Sequence, residues 1–389
     1  MSSTTLPRTP VLQSRLPQVG TTIFTVMSAL AQETGAVNLG QGFPDFPCDP
    51  ALPAFVTAAM AEGLNQYPPM TGLPGLRERV AQKIESLYGH RYDPGTEITI
   101  TAGATQAILT VVLACVHPGD EVIVLEPCYD SYAPNIELAG GRVVRVPLTP
   151  GTFRPDFTLI AAALSPRTRL LIINSPHNPS ATAWTRAEMD QLEALLAPTD
   201  VLLLADEVYE HMVYDGAPHV SASSLPALAA RSFVVSSFGK TFHVTGWKVG
   251  TVAAPASLTA EFRKVHQFNV FTVSTPMQHG LARYMADPQP YLGLPAFYQR
   301  KRDLFLKGLV QTRLKPLHTQ GSYFQLVDYS AVSDLPEAEF CQWLTRKVGV
   351  AAIPLSAFYA GGFEQKLARL CFAKADETLQ RALQRLRAL

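Results

Sequence analysis

Charge is sparse in this chain, and neither sign predominates. Charged residues make up 16% of the 389 positions, with Lys+Arg and Asp+Glu at 32 each. Nucleic acid or an anionic membrane would require a basic excess, and the whole-chain balance has none. Disulfide chemistry is equally unprovided for. The five cysteines (Cys48, Cys115, Cys128, Cys341, Cys371) are odd in number and form no C-x-x-C pair. This argues against a disulfide framework or a cysteine zinc site and for reduced thiols in a cytoplasmic protein. Long apolar runs are missing as well. The longest, around Ala107–Val116, contains Thr110 and is roughly half of a membrane span. The start, Met1–Leu12, carries Pro7 and Pro10 and lacks the apolar segment of a signal peptide.

Several familiar motifs fail on inspection. Gly40-Gln41-Gly42-Phe43-Pro44-Asp45 has Asp45 where a dinucleotide fingerprint needs its third glycine. Gly239-Lys240-Thr241 resembles the end of a phosphate loop, yet Val234 stands at the position of the first glycine. No H-E-x-x-H and no G-x-S-x-G occurs, which removes support for a catalytic zinc or a serine nucleophile elbow.

What is present is apolar: 47% of the residues are hydrophobic. Glu97–Thr101, Glu121–Leu125, Arg169–Asn174, Val201–Ala205 and Ser232–Ser236 are candidate strands, most of them nearly continuous in apolar residues. Such runs mark strands covered on both faces. Helical patterns such as Ala104–Cys115 and Arg186–Leu196 lie between them, and this alternation predicts an α/β fold with a mostly parallel sheet. The ends read differently, with helices expected over Thr22–Thr34, Leu335–Lys347 and Asp376–Ala388 and strands over Gly321–Val327 and Leu367–Phe372. The expected organisation is a large domain over 45–280 and a smaller α+β domain assembled from 1–44 and 281–389.

Four of the strand ends carry polar residues. Lys240 follows Ser232–Ser236 closely, at the sheet edge where ligands of α/β proteins collect. A lysine held there in apolar surroundings has a lowered pKa and attacks a carbonyl as the free amine. Asp206-Glu207-Val208-Tyr209, Asn174-Ser175-Pro176-His177-Asn178-Pro179 and Thr101-Ala102-Gly103-Ala104-Thr105 end three further strands, and the last opens a helix with free N–H groups for an anion. Taken singly these are a surface lysine, a helix N-cap, a proline-rich turn and a glycine turn. Together above one sheet they are hard to explain as structure alone.

S-x-x-K-T-x-x-x-T-G-W-K-x-G around Lys240, with N-x-P-H-N-P and D-E-V-Y in order before it, resembles the fold-type I aminotransferases that use pyridoxal 5'-phosphate (PLP). The resemblance runs from about Leu16 to the C-terminus, and NLGQGFPDF, NQYPPMTG and HNPSAT are most similar to the methionine aminotransferases within that family, with kynurenine and glutamine transaminases close by. It implies that Lys240 bonds the cofactor's aldehyde carbon and, once displaced, moves the substrate's proton. Asp206 would pair with the pyridine nitrogen, Tyr209 and Asn178 with the phenolic oxygen, and Tyr129 would stack on the ring. The phosphate would sit on the N–H groups of Ala104 and Thr105, with Ser237 and Lys248 beside it and Tyr67 reaching it from the other subunit of a homodimer. Lys248 departs from the arginine most common at its position. Arg369 would clamp the substrate α-carboxylate. Gly42 and Phe43 would lie over the substrate, with Phe24 and the partner-contributed Phe271 lining the side-chain pocket.

The implied substrates are a hydrophobic or aromatic amino acid and a 2-oxo acid, interconverted by a ping-pong mechanism. The same constellation also suits a cysteine-conjugate C–S β-lyase. A non-enzymatic PLP-binding regulator is opposed by the intact Lys240, Asp206, Tyr209 and Arg369. A second departure is Ala181, where the family usually has glycine; a positive φ there would cost an alanine roughly 1 kcal/mol. His177 and His243 read as supporting residues, not reacting ones.

Overall fold

Apolar residues on both sides of a strand need two cores, and the central sheet has two. In a computed structural model describing residues 12–389, seven strands form this sheet: β1 (Ile98–Thr101), β2 (Glu121–Glu126), β3 (Arg142–Pro147), β4 (Thr168–Asn174), β5 (Leu202–Asp206), β6 (Ser232–Ser237) and β7 (Gly250–Ala253). The Met1–Val11 part of the signal-peptide reading lies outside the described residues. Ile123, Leu125, Leu171, Ile173 and Leu203 face one core, while Val122, Val124, Leu170, Ile172 and Leu204 face the other. Successive side chains point to opposite faces, so a continuous apolar run is what a doubly covered strand requires.

The spatial order is β1-β7-β6-β5-β4-β2-β3. Pairings from β6 through to β3 are parallel, and β7 runs antiparallel between β1 and β6. The sheet is thus mostly parallel, as expected. Neither β3 nor β7 stands out in the sequence. β3 is an edge strand with Arg142 and Pro147 exposed, and β7 is four residues long with a glycine at its start. Both lack the long apolar run by which the inner strands are recognised.

A second sheet is antiparallel and joins Lys315–Pro316, Phe324–Asp328, Leu367–Cys371 and Ile353–Pro354. Helices Ile23–Thr34 and Glu337–Trp343 lie against it, and the segment Val37–Asn38 pairs in parallel with Val350–Ala351. The N-terminal helix begins where Thr22 accepts a hydrogen bond from the Thr25 N–H and stops at Gly35, with φ 64°, a normal pair of capping devices. The helix expected over Leu335–Lys347 is Glu337–Trp343, continued to Val348 by a wider turn. Among the described residues no helix is long and apolar enough to cross a membrane.

Candidate active site

The carboxyl ends of β1, β2, β4, β5 and β6 open on one cavity of about 380 Å³. Its lining includes Phe24, Gly42, Phe43, Ala104, Thr105, Tyr129, Asn178, Asp206, Tyr209, Ser237, Lys240, Lys248 and Arg369. Of the residues expected from the sequence to touch cofactor or substrate, only Tyr67 and Phe271 are not among them. Those two rings pack edge to face on each other at 5.2 Å, and Tyr67 is 80% exposed.

Strand register explains why the anion-binding end forms. Thr101 pairs with Gly250, and Gly250 pairs with Ser237, so three strand ends are level. The helix Ala104–Cys115 then starts directly above them, with Gly103 at its N-cap. A Cβ on Gly250 would stand 3.0 Å from the Ala104 nitrogen and 2.8 Å from the Ser236 carbonyl, so only glycine lets the helix start settle onto the sheet. The Lys248 ammonium lies against Gly103. Backbone N–H groups, the helix dipole and a cation thus converge on one spot, which is the composition of a phosphate site.

At the floor, Asp206 is buried and accepts a 2.6 Å hydrogen bond from the Tyr132 hydroxyl. Burial pushes its carboxyl up to about 6. A carboxylate so placed gains from a cationic ring nitrogen, which restores the partner that desolvation removed. Asn174 steadies this corner: its Nδ2 donates to the Asp206 carbonyl at 2.8 Å and its Oδ1 accepts from the Asn178 N–H at 2.7 Å. Lys240 sits in the short helix Phe238–Thr241 after β6, and burial lowers its amine to about 8. Tyr209 is moved the other way, well above the ordinary phenol, again chiefly by burial.

Arg369 closes the far side. Its guanidinium is fully buried, 4.0 Å from the ring centre of Phe324 and 4.9 Å from that of Phe358. One Nη donates to Asn178 Oδ1 at 2.6 Å and the other to the Gly40 carbonyl at 3.0 Å, leaving Nε without a partner. Asn178, whose Oδ1 accepts from Arg369, is itself part of the cavity lining. A buried cation with an open donor is costly unless an anion completes it, and a carboxylate in the cavity would do so.

The sequence reading missed Tyr132, Tyr323 and Phe324. Tyr132 lies three residues beyond Tyr129 and carries no motif of its own. Tyr323 and Phe324 were read only as part of a strand, and their approach to Lys240 and Arg369 is made by tertiary packing. His177 is buried on Ser180 Oγ at 2.6 Å and His243 packs against Phe46 at 5.0 Å, and neither lines the cavity. Ala181 has φ 62°, the conformation that favours the glycine it replaces.

Comparison with known proteins agrees with this geometry. The sequence profile of aminotransferase class I and II matches residues 34–386. The methionine aminotransferase of Escherichia coli is 54% identical over 378 residues, covering 97% of this chain and 98% of the relative. The human kynurenine–oxoglutarate transaminase 1 is 37% identical, covering 92% and 93%. Among solved structures, an Escherichia coli protein identified as a methionine aminotransferase superposes with a TM-score of 0.97 at 53% identity, covering 98% of this chain and 100% of that one. The N-succinyldiaminopimelate aminotransferase of Mycobacterium tuberculosis superposes with a TM-score of 0.92 at 39% identity, covering 97% and 100%. The chain belongs to the class I and II aminotransferases, a PLP-dependent family of fold type I, and is an aminotransferase.

Proposed function

We propose that this aminotransferase takes the amino group of methionine, or of another amino acid with an apolar or aromatic side chain, and delivers it to a 2-oxo acid in a ping-pong cycle. The observation that carries this reading is the cavity wall. Phe24, Phe43, Tyr129 and Phe324 line it, and Arg369 is the single arginine there among the described residues. One guanidinium suits one carboxylate, the α-carboxylate, and the aromatic wall suits an apolar side chain better than a second charge. The identity to the Escherichia coli methionine aminotransferase supports the same preference.

The residues fit PLP as the cofactor: an anion cradle at Gly103–Thr105, a buried carboxylate at Asp206 and a low-pKa amine at Lys240 surround one cavity. When bound, PLP supplies the electron sink that stabilises charge at the substrate Cα. Lys240 Nζ, its pKa lowered to about 8 by burial, would take the proton from the substrate Cα and, in the return half-reaction, give a proton to the Cα of the new amino acid. Asp206 would hold a proton on the ring nitrogen of the bound cofactor, and Tyr209 with Asn178 would hydrogen-bond its phenolic oxygen. Ala104, Thr105, Ser237 and Lys248 would bind the phosphate, and Tyr129 would stack on the ring. Arg369 orients the substrate, while Gly42, Phe43 and Phe24 cover it and exclude water.

Tyr67 and Phe271 are assigned to the site of a second copy in a homodimer, because both are exposed and stand outside the lining of their own cavity. The same reading divides the chain into a large domain, 45–280, that would carry Lys240 and a small one from both chain ends, 1–44 and 281–389, that would carry Arg369, with 1–11 outside the described residues. A panel of amino donors, followed by visible absorbance in single turnover, tests the substrate reading. Methionine, phenylalanine and leucine should convert the bound cofactor at least about tenfold faster than aspartate, the discrimination that burying an uncompensated charge gives. Equal or faster conversion by aspartate would refute the preference.

A further inference from the structure

Tyr323 is fully buried just before the strand Phe324–Asp328. Its turn is pinned on three sides: the Gly321 N–H to the Ala181 carbonyl at 2.9 Å, the Ser322 N–H to Met212 at 2.8 Å, and the Phe372 N–H to the Tyr323 carbonyl at 3.0 Å. The ring is wedged between Tyr209 at 5.0 Å and Phe324 at 4.9 Å. Its hydroxyl therefore has a fixed position. That oxygen lies 2.5 Å from the Gly42 carbonyl and 2.9 Å from Lys240 Nζ. A carbonyl only accepts, so the phenolic proton points at Gly42 and a lone pair is left facing the lysine. Lys240 Nζ also reaches the Gly42 carbonyl, at 3.2 Å.

Gly42 belongs to a short stretch, Gln41 to Phe43, that lines the cavity. The Gly40 carbonyl accepts from Arg369 at 3.0 Å and the Phe43 carbonyl from Lys374 at 2.7 Å. A Cβ at Gly42 would stand 2.8 Å from Phe324 Cζ, so only glycine lets the chain pass this close to the small sheet. We propose that Tyr323 is a positioning residue for Lys240: its hydroxyl holds the amine when it is free of the cofactor and ties the Gly40–Phe43 stretch to that state. The inference rests on the reading of Lys240 as the reacting amine. While the amine is free, the Gly42 carbonyl has two donors; once the amine is committed elsewhere it keeps only Tyr323. The stretch covering the substrate is held tightest during the steps in which Lys240 handles the substrate's proton.

Tyr323→Phe removes one oxygen and keeps the ring, so the test uses the full-length, cofactor-loaded enzyme with saturating methionine. Two readouts are needed. Amide hydrogen exchange over residues 40–43 should quicken about tenfold, the effect of one lost hydrogen bond. The acidic limb of the single-turnover rate should move down by about one pH unit, because an acceptor that favoured the ammonium form is gone. Asp206, Arg369, Lys248, Cys371 and Tyr209 also face Lys240 and are unchanged in the variant. Faster exchange with an unmoved limb would make Tyr323 a packing residue only and overturn the assignment, as would no change in either. The visible band of cofactor bonded to lysine separates the two readings. If it is present in the parent and in Tyr323→Phe but absent in Lys240→Ala, the lysine reading stands and a null result counts against Tyr323 alone. If Lys240→Ala keeps the band, the lysine reading falls and this proposal with it.

Discussion

Lys240 links burial to chemistry in a single side chain. Water is withheld from its ammonium, which lowers its pKa to about 8. The neutral amine, the form that attacks a carbonyl, therefore grows in as pH rises through that value. Capture of PLP by the cofactor-free chain should accelerate with pH up to and just beyond about 8 and then level off. A stopped-flow absorbance series would record it, and a rate that keeps rising towards the ordinary lysine range would contradict the shift. Ala181 sets two effects against each other. Its φ of 62° costs an L-residue, on the order of 1 kcal/mol, yet its methyl is fully buried, worth about 0.8 kcal/mol. Ala181→Gly should accordingly change unfolding stability by less than about 0.5 kcal/mol, read from denaturant midpoints. A loss several times larger would show that packing dominates at this turn.

At the scale of elements, the sheet is held in register by polar ends as well as by its apolar cores. Glu121, buried at the start of β2, accepts from Arg142 on β3 at 2.5 Å, from Arg167 just before β4 at 2.7 Å and from Ser165 at 2.8 Å. Those bonds, Arg142 first, pull its carboxyl down from 4.5 to about 2. A depressed acid contributes stability that is fully present above its unfolded value and is lost as pH falls through its folded one. Glu121→Gln should therefore lower the melting temperature at neutral pH, with the difference from the parent shrinking as pH falls from 4.5 to about 2. Both arginines are more than half exposed, so solvent screening keeps the effect to about 1 kcal/mol. A difference that persists undiminished in acid would exclude the ionic origin. The helix Arg186–Leu196 is fastened in a comparable way by the reciprocal Thr185–Glu188 capping box, and its observed limits coincide with those read from the sequence.

For the whole molecule, the low charge has a structural use. A sheet covered on both faces needs many uncharged residues, and the exposed Tyr67, Phe268 and Phe271 offer further apolar surface. If Tyr67 completes the site of a second copy, defects in Lys240 and in Tyr67 complement one another across a twofold dimer. Mixing Lys240→Ala with Tyr67→Ala subunits after co-refolding should yield activity above the sum of the two parents, with roughly a quarter of all sites intact. Activity equal to the parental average would place Tyr67 in its own subunit's chemistry or outside it altogether.

Much was legible in the residues alone, for definite physical reasons. Inner strands announce themselves because two-sided burial demands continuous apolar runs, and Lys240, Asp206, Asn178 and Ala104 follow those runs closely in the chain. Local sequence thus determined the strand ends and the polar groups they carry. The edge strand β3 and the short β7 were silent, since half-exposed or four-residue strands need no such run. What only the tertiary structure decided is who meets whom. Tyr132 on Asp206, Asn178 on Arg369, and Tyr323 between Lys240 and Gly42 join residues 74, 191, 83 and 281 positions apart. Contacts over such separations leave no periodicity or spacing in the chain; they come into being when the two sheets pack and the cavity between them closes.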